Sequence, residues 1–284
     1  MRKQWIYFLG LVVLGVALSV NDSSAQRTSK PIDNIVEKEH VSNKKPVPYP
    51  SLREADILWS KRVWRIVDLR ERMNLPMYYP ITPKDDRYSL ISILLYGIQH
   101  EGLPAYSIND DEFKIPISYE IVNERMGATD NVSEVFNPET NQYEEVTYTS
   151  EIRVEEVKQI MVKEVWFFDR NYSRMDVRII GICPIREYID ESGEVVRRQT
   201  FWINYPEARN LLARYEVFNA GNDAQRRSFD DIFIKRYFGS YIVQEANMYD
   251  NRSIESYAVG VDARLESERI KNEIFNFEHD LWEF

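Results

Sequence analysis

Histidine, cysteine and carboxylate side chains are the groups in this chain that could bind a metal or act as a nucleophile. The three histidines are His40, His100 and His279, and no two of them have the spacing of metal ligands. Cys183 is the single cysteine, so no disulfide can form within the chain. Because Cys183 falls on an apolar strand face, we expect it to be a buried packing residue. The sequence therefore predicts no metal and no cofactor.

Adjacent acidic residues could supply the two carboxylates that a glycosidase uses. The candidates are Asp85-Asp86, Asp110-Asp111-Glu112 and Asp230-Asp231. Such pairs usually cap helices and turns, and 46 acidic residues make several of them expected by chance. The chain has ten glycines, with no Gly-x-Ser-x-Gly elbow and no phosphate-binding loop. We expect no catalytic residue.

The first 25 residues have the pattern of a cleavable export signal. Arg2 and Lys3 precede an uncharged apolar run that ends at Val20, and small residues follow at Ser23 and Ala25. We expect cleavage between Ala25 and Gln26, because the apolar run is too short to span a membrane. No cysteine is available there for lipid attachment, so the mature chain needs a partner to be held at a membrane.

Cleavage would change the net charge from −10 to −11, because Arg2, Lys3 and Asp22 are removed. A chain this acidic has no long-range attraction for nucleic acid or for an anionic membrane surface. We therefore expect no nucleic-acid partner. The aromatic content of 13% is typical of chains with binding surfaces as well as cores.

Residues 26–50 are polar and end in alternating prolines, which favours an extended or disordered tether. Residues 51–260 are expected to form the core domain, and residues 261–284 an acidic C-terminal helix of charge −4. The core is predicted to begin with a helix from Ser51 to about Asn74, followed by a second helix from Ser89 to Glu101.

The middle of the chain changes to the two-residue period of strands. The pattern predicts an edge strand near Pro116, hairpins around residues 137–141 and 169–173, and a strand from Val195 to Ile203. Helices are predicted again after Pro206, after Ser228 and from Asp262. The predicted fold class is α+β, with N-terminal helices, a central antiparallel sheet and C-terminal helices.

Four apolar residues are candidates for a partner interface. On the predicted first helix, Ile57 and Trp64 fall outside the apolar arc, one heptad apart among charged residues. We expect such an aromatic side chain to be buried, either against another element of the domain or against another chain. Phe275 and Trp282 form a second stripe on the last helix.

Three stretches resemble one known family. The first is Arg53-Glu54-Ala55-Asp56 followed by Trp59-Ser60-Lys61-Arg62-Val63-Trp64-Arg65. The second is Val165-Trp166-Phe167-Phe168-Asp169, and the third is Ser228-Phe229-Asp230-Asp231 with Lys235-Arg236-Tyr237-Phe238. The chain resembles the gliding-motility and Por-secretion N proteins (GldN/PorN) of the type IX secretion system over roughly residues 50–254.

The resemblance implies a structural role without catalysis. It implies a periplasmic subunit of an oligomeric ring, held at the outer membrane by a lipoprotein, the K component (GldK/PorK). It also implies contact with the periplasmic part of the M component (GldM/PorM) of the inner-membrane motor. The alternative is a periplasmic protein that binds or cleaves cell-wall glycans, in which exposed aromatics would stack on sugars.

Overall fold

The computed structural model describes residues 43–84, 86–128, 130–137, 142–149, 152–190, 192–222 and 224–281. The predicted cleavage site at Ala25 and Gln26 and the candidate interface residue Trp282 lie outside these residues.

An antiparallel sheet of eight strands forms the centre of the domain. Its strands follow the order β12-β1-β6-β7-β9-β2-β3, and β8 also pairs with β7. Their bounds are β1 (Ile57–Asp68), β2 (Ala105–Tyr106), β3 (Pro116–Ile117), β6 (Val157–Asp169), β7 (Arg174–Ile189), β8 (Val195–Gln199), β9 (Trp202–Asn204) and β12 (Tyr241–Glu245). Two small hairpins stand apart from this sheet: β4 (Asp130–Asn137) with β5 (Gln142–Thr149), and β10 (Glu216–Val217) with β11 (Arg227–Ser228).

The predicted helix from Ser51 to Asn74 is wrong, because its central residues form strand β1. In the sheet, this strand is hydrogen-bonded between β12 and β6. Its first six residues alternate between half-buried and exposed, whereas Val63, Trp64 and Arg65 are consecutively buried. Val63 and Trp64 belong to different apolar clusters, so the middle of the strand is covered on both faces of the sheet.

Six α-helices surround the sheet in the described part of the chain. Their bounds are α1 (Leu75–Tyr78), α2 (Leu90–His100), α3 (Tyr119–Arg125), α4 (Tyr205–Leu212), α5 (Phe229–Ile234) and α6 (Val261–Asp280). Local signals place two of them. Ser89 accepts a hydrogen bond from the Ser92 backbone at the start of α2, and Ser228 forms a capping box with Asp231 at the start of α5. No helix among the described residues is long and apolar enough to cross a membrane.

The α+β class is confirmed, as are the hairpins β4–β5 and β6–β7. The predicted strand from Val195 to Ile203 is divided into β8 and β9, because β9 pairs with a different part of β7. Strand β3 contains Pro116 and ends the sheet, as an edge position for proline requires.

The core consists of three apolar clusters. The largest is formed by one side of the sheet with α2, α4 and α5. A second contains Trp64, Cys183 and Trp202. In the third, Ile270 and Ile274 of α6 pack with Val63 and Ile242, so the C-terminal helix is fixed to the β12 end of the sheet.

The last residues of the predicted tether contact the core domain. The Tyr49 ring lies beside two guanidinium groups, 4.2 Å from Arg209 and 5.0 Å from Arg178. Arg178 also donates a hydrogen bond to the carbonyl of Pro50 at 2.7 Å, and Lys44 forms an ion pair with Asp231. This segment is therefore held by cation–π and ionic contacts.

Candidate partner interface

Most of the paired carboxylates identified in the sequence take part in structural bonds. Asp230 accepts hydrogen bonds from Arg209 at 3.0 Å and from the hydroxyl of Tyr205 at 2.7 Å. Asp110 accepts hydrogen bonds from the backbone of Glu112 and Lys114, both at 2.9 Å. These carboxylates act as caps and buried counter-ions.

The single cysteine is buried and unreactive, and the residue types that bind metals do not cluster in the described part of the chain. Cys183 is fully buried, and burial raises the pKa of its thiol to about 12. It is therefore protonated at neutral pH and is a poor nucleophile. Among the described residues, no group of His, Cys, Asp or Glu side chains is arranged to hold a metal ion.

A buried charge cluster joins three distant parts of the chain at Glu164. The Glu164 side chain is fully buried and lies 3.2 Å from Nε of Arg65, with which it forms an ion pair. It accepts hydrogen bonds from Arg236 at 3.1 Å and from the indole of Trp166 at 3.0 Å. Burial lowers the pKa of Arg65, and the neighbouring carboxylate opposes that shift. We refer to Arg65, Glu164, Trp166 and Arg236 as the Glu164 cluster.

Trp64 is a core residue, because the prediction of a charged helix face is wrong. Its side chain is 2% exposed and packs with Met161, Cys183 and Trp202. The ammonium of Lys163 lies 5.6 Å from the Trp64 ring centroid. Trp64 is therefore covered by other elements of its own domain, which is one of the two possibilities that the sequence left open.

The remaining described candidates, Ile57 and Phe275, lie near one aromatic contact between β1 and α6. Trp59 stacks on Phe277 with ring centroids 4.5 Å apart. Ile57, which begins β1 and is half-buried, and Phe275 each lie two residues from a member of this stack. Phe275 is 62% exposed.

The outward face of α6 carries three apolar residues: Val261, Leu265 and Phe275, all of which are exposed. At 100° per residue they fall within an arc of about 80°, on the side opposite Ile270 and Ile274. Glu268 and Asn272 are also exposed in this arc, between Leu265 and Phe275. This helix therefore has one apolar side against the sheet and an opposite side on which apolar and polar residues are both exposed. Such a mixed surface is compatible with a protein–protein contact.

A groove adjoins the N-terminal half of α6, between the helix and the side of β12 that faces away from β1. Its volume is about 820 Å³. The apolar part of its lining includes Tyr241, Ile242, Ile254 and Val259, and the charged part contains three carboxylates and one guanidinium: Glu71, Glu255, Glu268 and Arg264. The groove is therefore both apolar and acidic. This groove was not expected from the sequence, because strand β12 was not predicted.

The comparison with known proteins decides the family. The model of the gliding motility associated protein GldN matches residues 52–283, which is most of the chain. The chain belongs to the GldN family. Membership in this family associates the chain with gliding motility and type IX secretion. The family consists of structural components of that machinery. No curated protein matches the chain.

The three stretches that resemble GldN proteins meet at the Glu164 cluster. Arg65 comes from the first stretch, Trp166 from the second and Arg236 from the third, while Glu164 directly precedes the second. The third stretch also supplies Asp230, which binds Arg209. These residues of the GldN-family chain therefore hold β1, β6 and the segment after α5 together.

Proposed function

We propose that this GldN-family chain is a non-catalytic structural subunit of the type IX secretion and gliding machinery. In this proposal it forms a periplasmic ring with the outer-membrane lipoprotein GldK/PorK. It also links that ring to the periplasmic part of the inner-membrane component GldM/PorM.

The outward face of α6 is the observation that carries the proposal. Val261, Leu265 and Phe275 expose apolar surface on a helix whose other side is already packed on the sheet. The acidic groove beside it extends this surface. Exposed apolar residues among polar ones, next to a concave and partly charged groove, have the mixed composition of a protein–protein interface.

The chemistry of the interior supports a structural role. Arg65, Arg236 and Asp230, three charged residues in the stretches that resemble the family, form ion pairs with buried partners, and Cys183 is buried and protonated. Such residues stabilise one arrangement of strands and helices. The expected export signal supports a periplasmic location.

Recovery of partners from detergent-solubilised envelope tests the proposal. Tagged wild-type protein is expected to recover a lipoprotein in near-equal amount, as measured by mass spectrometry. Phe275→Ala is expected to reduce this recovery, because truncation of a hot-spot aromatic costs about 2 kcal/mol or more of binding free energy. Tyr172→Ala is the matched control, since Tyr172 is 58% exposed in the β6–β7 turn.

Two results would count against this proposal. One is wild-type protein that recovers no envelope lipoprotein. The other is saturable heat on titration with cell-wall glycan fragments, together with no lipoprotein recovery, which would favour the glycan-binding alternative. If the Phe275 and Tyr172 variants recovered equally reduced amounts of lipoprotein, the α6 face would not be the specific contact.

A further inference from the structure

The groove between β12 and the N-terminal half of α6 has an apolar lining that is partly buried and partly exposed. Ile242 and Ile254 line it and are buried, whereas Tyr241 and Val259, also in its lining, are 42% and 82% exposed. Its volume of about 820 Å³ is within the range of about 300–1,000 Å³ that is typical of ligand sites. A segment of another chain that entered this groove would therefore bury an apolar side chain.

The charged part of the lining is predominantly negative. It contains the carboxylates of Glu71, Glu255 and Glu268 and one guanidinium, that of Arg264. Glu268 forms an ion pair with Lys271 at 3.5 Å. Among the described residues, no lysine or arginine forms an ion pair with Glu71 or Glu255. These two carboxylates therefore offer a counter-charge to a basic side chain of an incoming segment.

The backbone of β12 is not available to add a further strand at this groove. The N–H of Ile242 donates to the hydroxyl of Ser267 on α6 at 3.0 Å, and Gln244 forms an isolated bridge with Ser253. Such capping prevents another strand from pairing at a sheet edge. Recognition in the groove must therefore depend on side chains, so the apolar and acidic composition of the lining selects the occupant.

Charge argues against two occupants that this chain itself could supply. Residues 26–42 contain three acidic and three basic residues, so an acidic groove does not select them. A second copy of the chain has a net charge of −10, or −11 after the expected cleavage, and is repelled at long range. The composition of the groove favours a different chain with basic residues.

We propose that this groove binds a segment of the lipoprotein partner in which an apolar side chain is flanked by lysine or arginine residues. The inference rests on the proposed function, and it names the chemistry of the partner at a surface next to the outward face of α6. The residues that line the groove are different from Val261, Leu265 and Phe275 of that face. The two surfaces can therefore be changed independently.

Charge reversal in the groove tests the electrostatic part of this inference. Glu71→Lys with Glu255→Lys is expected to reduce lipoprotein recovery from detergent-solubilised envelope about tenfold, because like charges then meet at the contact. Glu54→Lys with Glu155→Lys is the matched control, since both residues are exposed, lie outside the groove and change the net charge equally. Mass spectrometry measures the recovery, and urea unfolding verifies that both variants are folded.

Neutral variants serve the same test if the lysine variant does not fold. Glu71→Gln with Glu255→Gln removes the two charges and introduces none. The expected loss of recovery is therefore smaller, about threefold. Glu54→Gln with Glu155→Gln is the matched control.

Photo-crosslinking identifies what occupies the groove. Benzoylphenylalanine in place of Val259 puts the reactive group in the lining, and the same residue in place of Tyr172, exposed in the β6–β7 turn, is the control. Digestion with a protease that cleaves after glutamate leaves lysines and arginines inside the peptides. The peptide cross-linked to position 259 is expected to belong to the lipoprotein and to combine apolar residues with several lysines or arginines.

Three outcomes would overturn the inference. The first is equal recovery by the groove variants and their controls, and the second is no cross-link specific to position 259. The third is a cross-link to an acidic or uncharged peptide, to a second copy of this chain or to another protein. If wild type recovers the lipoprotein and Phe275→Ala reduces this recovery in any of these cases, the proposed function stands and only the groove contact fails. Wild-type protein that recovers no lipoprotein contradicts the proposed function itself.

Discussion

The carboxylate of Glu164 accepts a hydrogen bond from the guanidinium of Arg236, 3.1 Å away, although 72 residues separate them in the sequence. The same carboxylate forms an ion pair with Arg65 of the neighbouring strand. One buried negative charge therefore balances two positive charges from different elements. The pairing holds β1, β6 and the segment after α5 in one arrangement.

Glu164→Gln is expected to destabilise the fold strongly. It leaves two guanidinium groups at the Glu164 cluster without their counter-charge, and loss of one partner from a buried pair typically costs about 3 kcal/mol or more. Urea unfolding measures the change in the free energy of unfolding. Glu155→Gln is the control, since Glu155 is exposed and should change stability little. Equal stability of the two variants would show that the cluster is not a major source of stability.

Tyr49→Ser is expected to release the segment of residues 44–50 from the core. The substitution removes the ring that lies beside Arg209 and Arg178. These two contacts together contribute about 1 kcal/mol. Their loss should increase the fraction of molecules with a released segment about fivefold. Trypsin cleavage after Lys44 should accelerate accordingly, as followed by mass spectrometry. Val47→Ala is the control, because the Val47 side chain is exposed and only its carbonyl is bonded to Arg209. Unchanged cleavage of the Tyr49 variant would contradict this attachment.

Cys183 is expected to be unreactive in the folded protein. Its thiol is fully buried and its pKa is raised to about 12, so almost no thiolate is present at neutral pH. A thiol reagent monitored by absorbance should react only after denaturant is added. Ser192→Cys introduces an exposed thiol as a positive control and should react at once. Rapid reaction of Cys183 without denaturant would show that the second core cluster opens.

Asp68 is expected to make stability fall in acid. The hydrogen bonds from Arg70 lower the pKa of Asp68 to about 2, against about 3.9 in an unfolded chain. Its stabilisation is therefore complete above about pH 4 and is lost as the pH falls toward 2. Asp68→Asn should be less stable than wild type at neutral pH, with a difference that narrows below about pH 4 in urea unfolding. A difference that is constant with pH would exclude this linkage.

Local signals in the sequence were sufficient for several elements. Ser89 and Ser228 cap helices through bonds that reach three residues along the chain, and the β6–β7 hairpin follows from one short turn between alternating segments. The edge position of Pro116 follows from its missing N–H. In each case the deciding interaction lies within a few residues of the signal.

The tertiary structure decided the elements whose environment comes from distant residues. Strand β1 was predicted as a helix because its apolar residues also fit a helical period, whereas the strands that pair with it, β6 and β12, are more than 80 residues away in the sequence. Trp64 is consequently a core residue. Phe275, by contrast, lies on the C-terminal helix, which was predicted correctly, and its side chain is exposed.

The sequence by itself determined the α+β class, the central hairpins, the C-terminal helix and the resemblance to the family. Only the tertiary structure decided that Arg65 and Arg236 of the matching stretches meet at Glu164, and that a groove lies between β12 and α6. Capping and turn formation depend on neighbours in the chain. Burial, ion pairing and edge exposure depend on which distant segments pack together, which the local pattern does not specify.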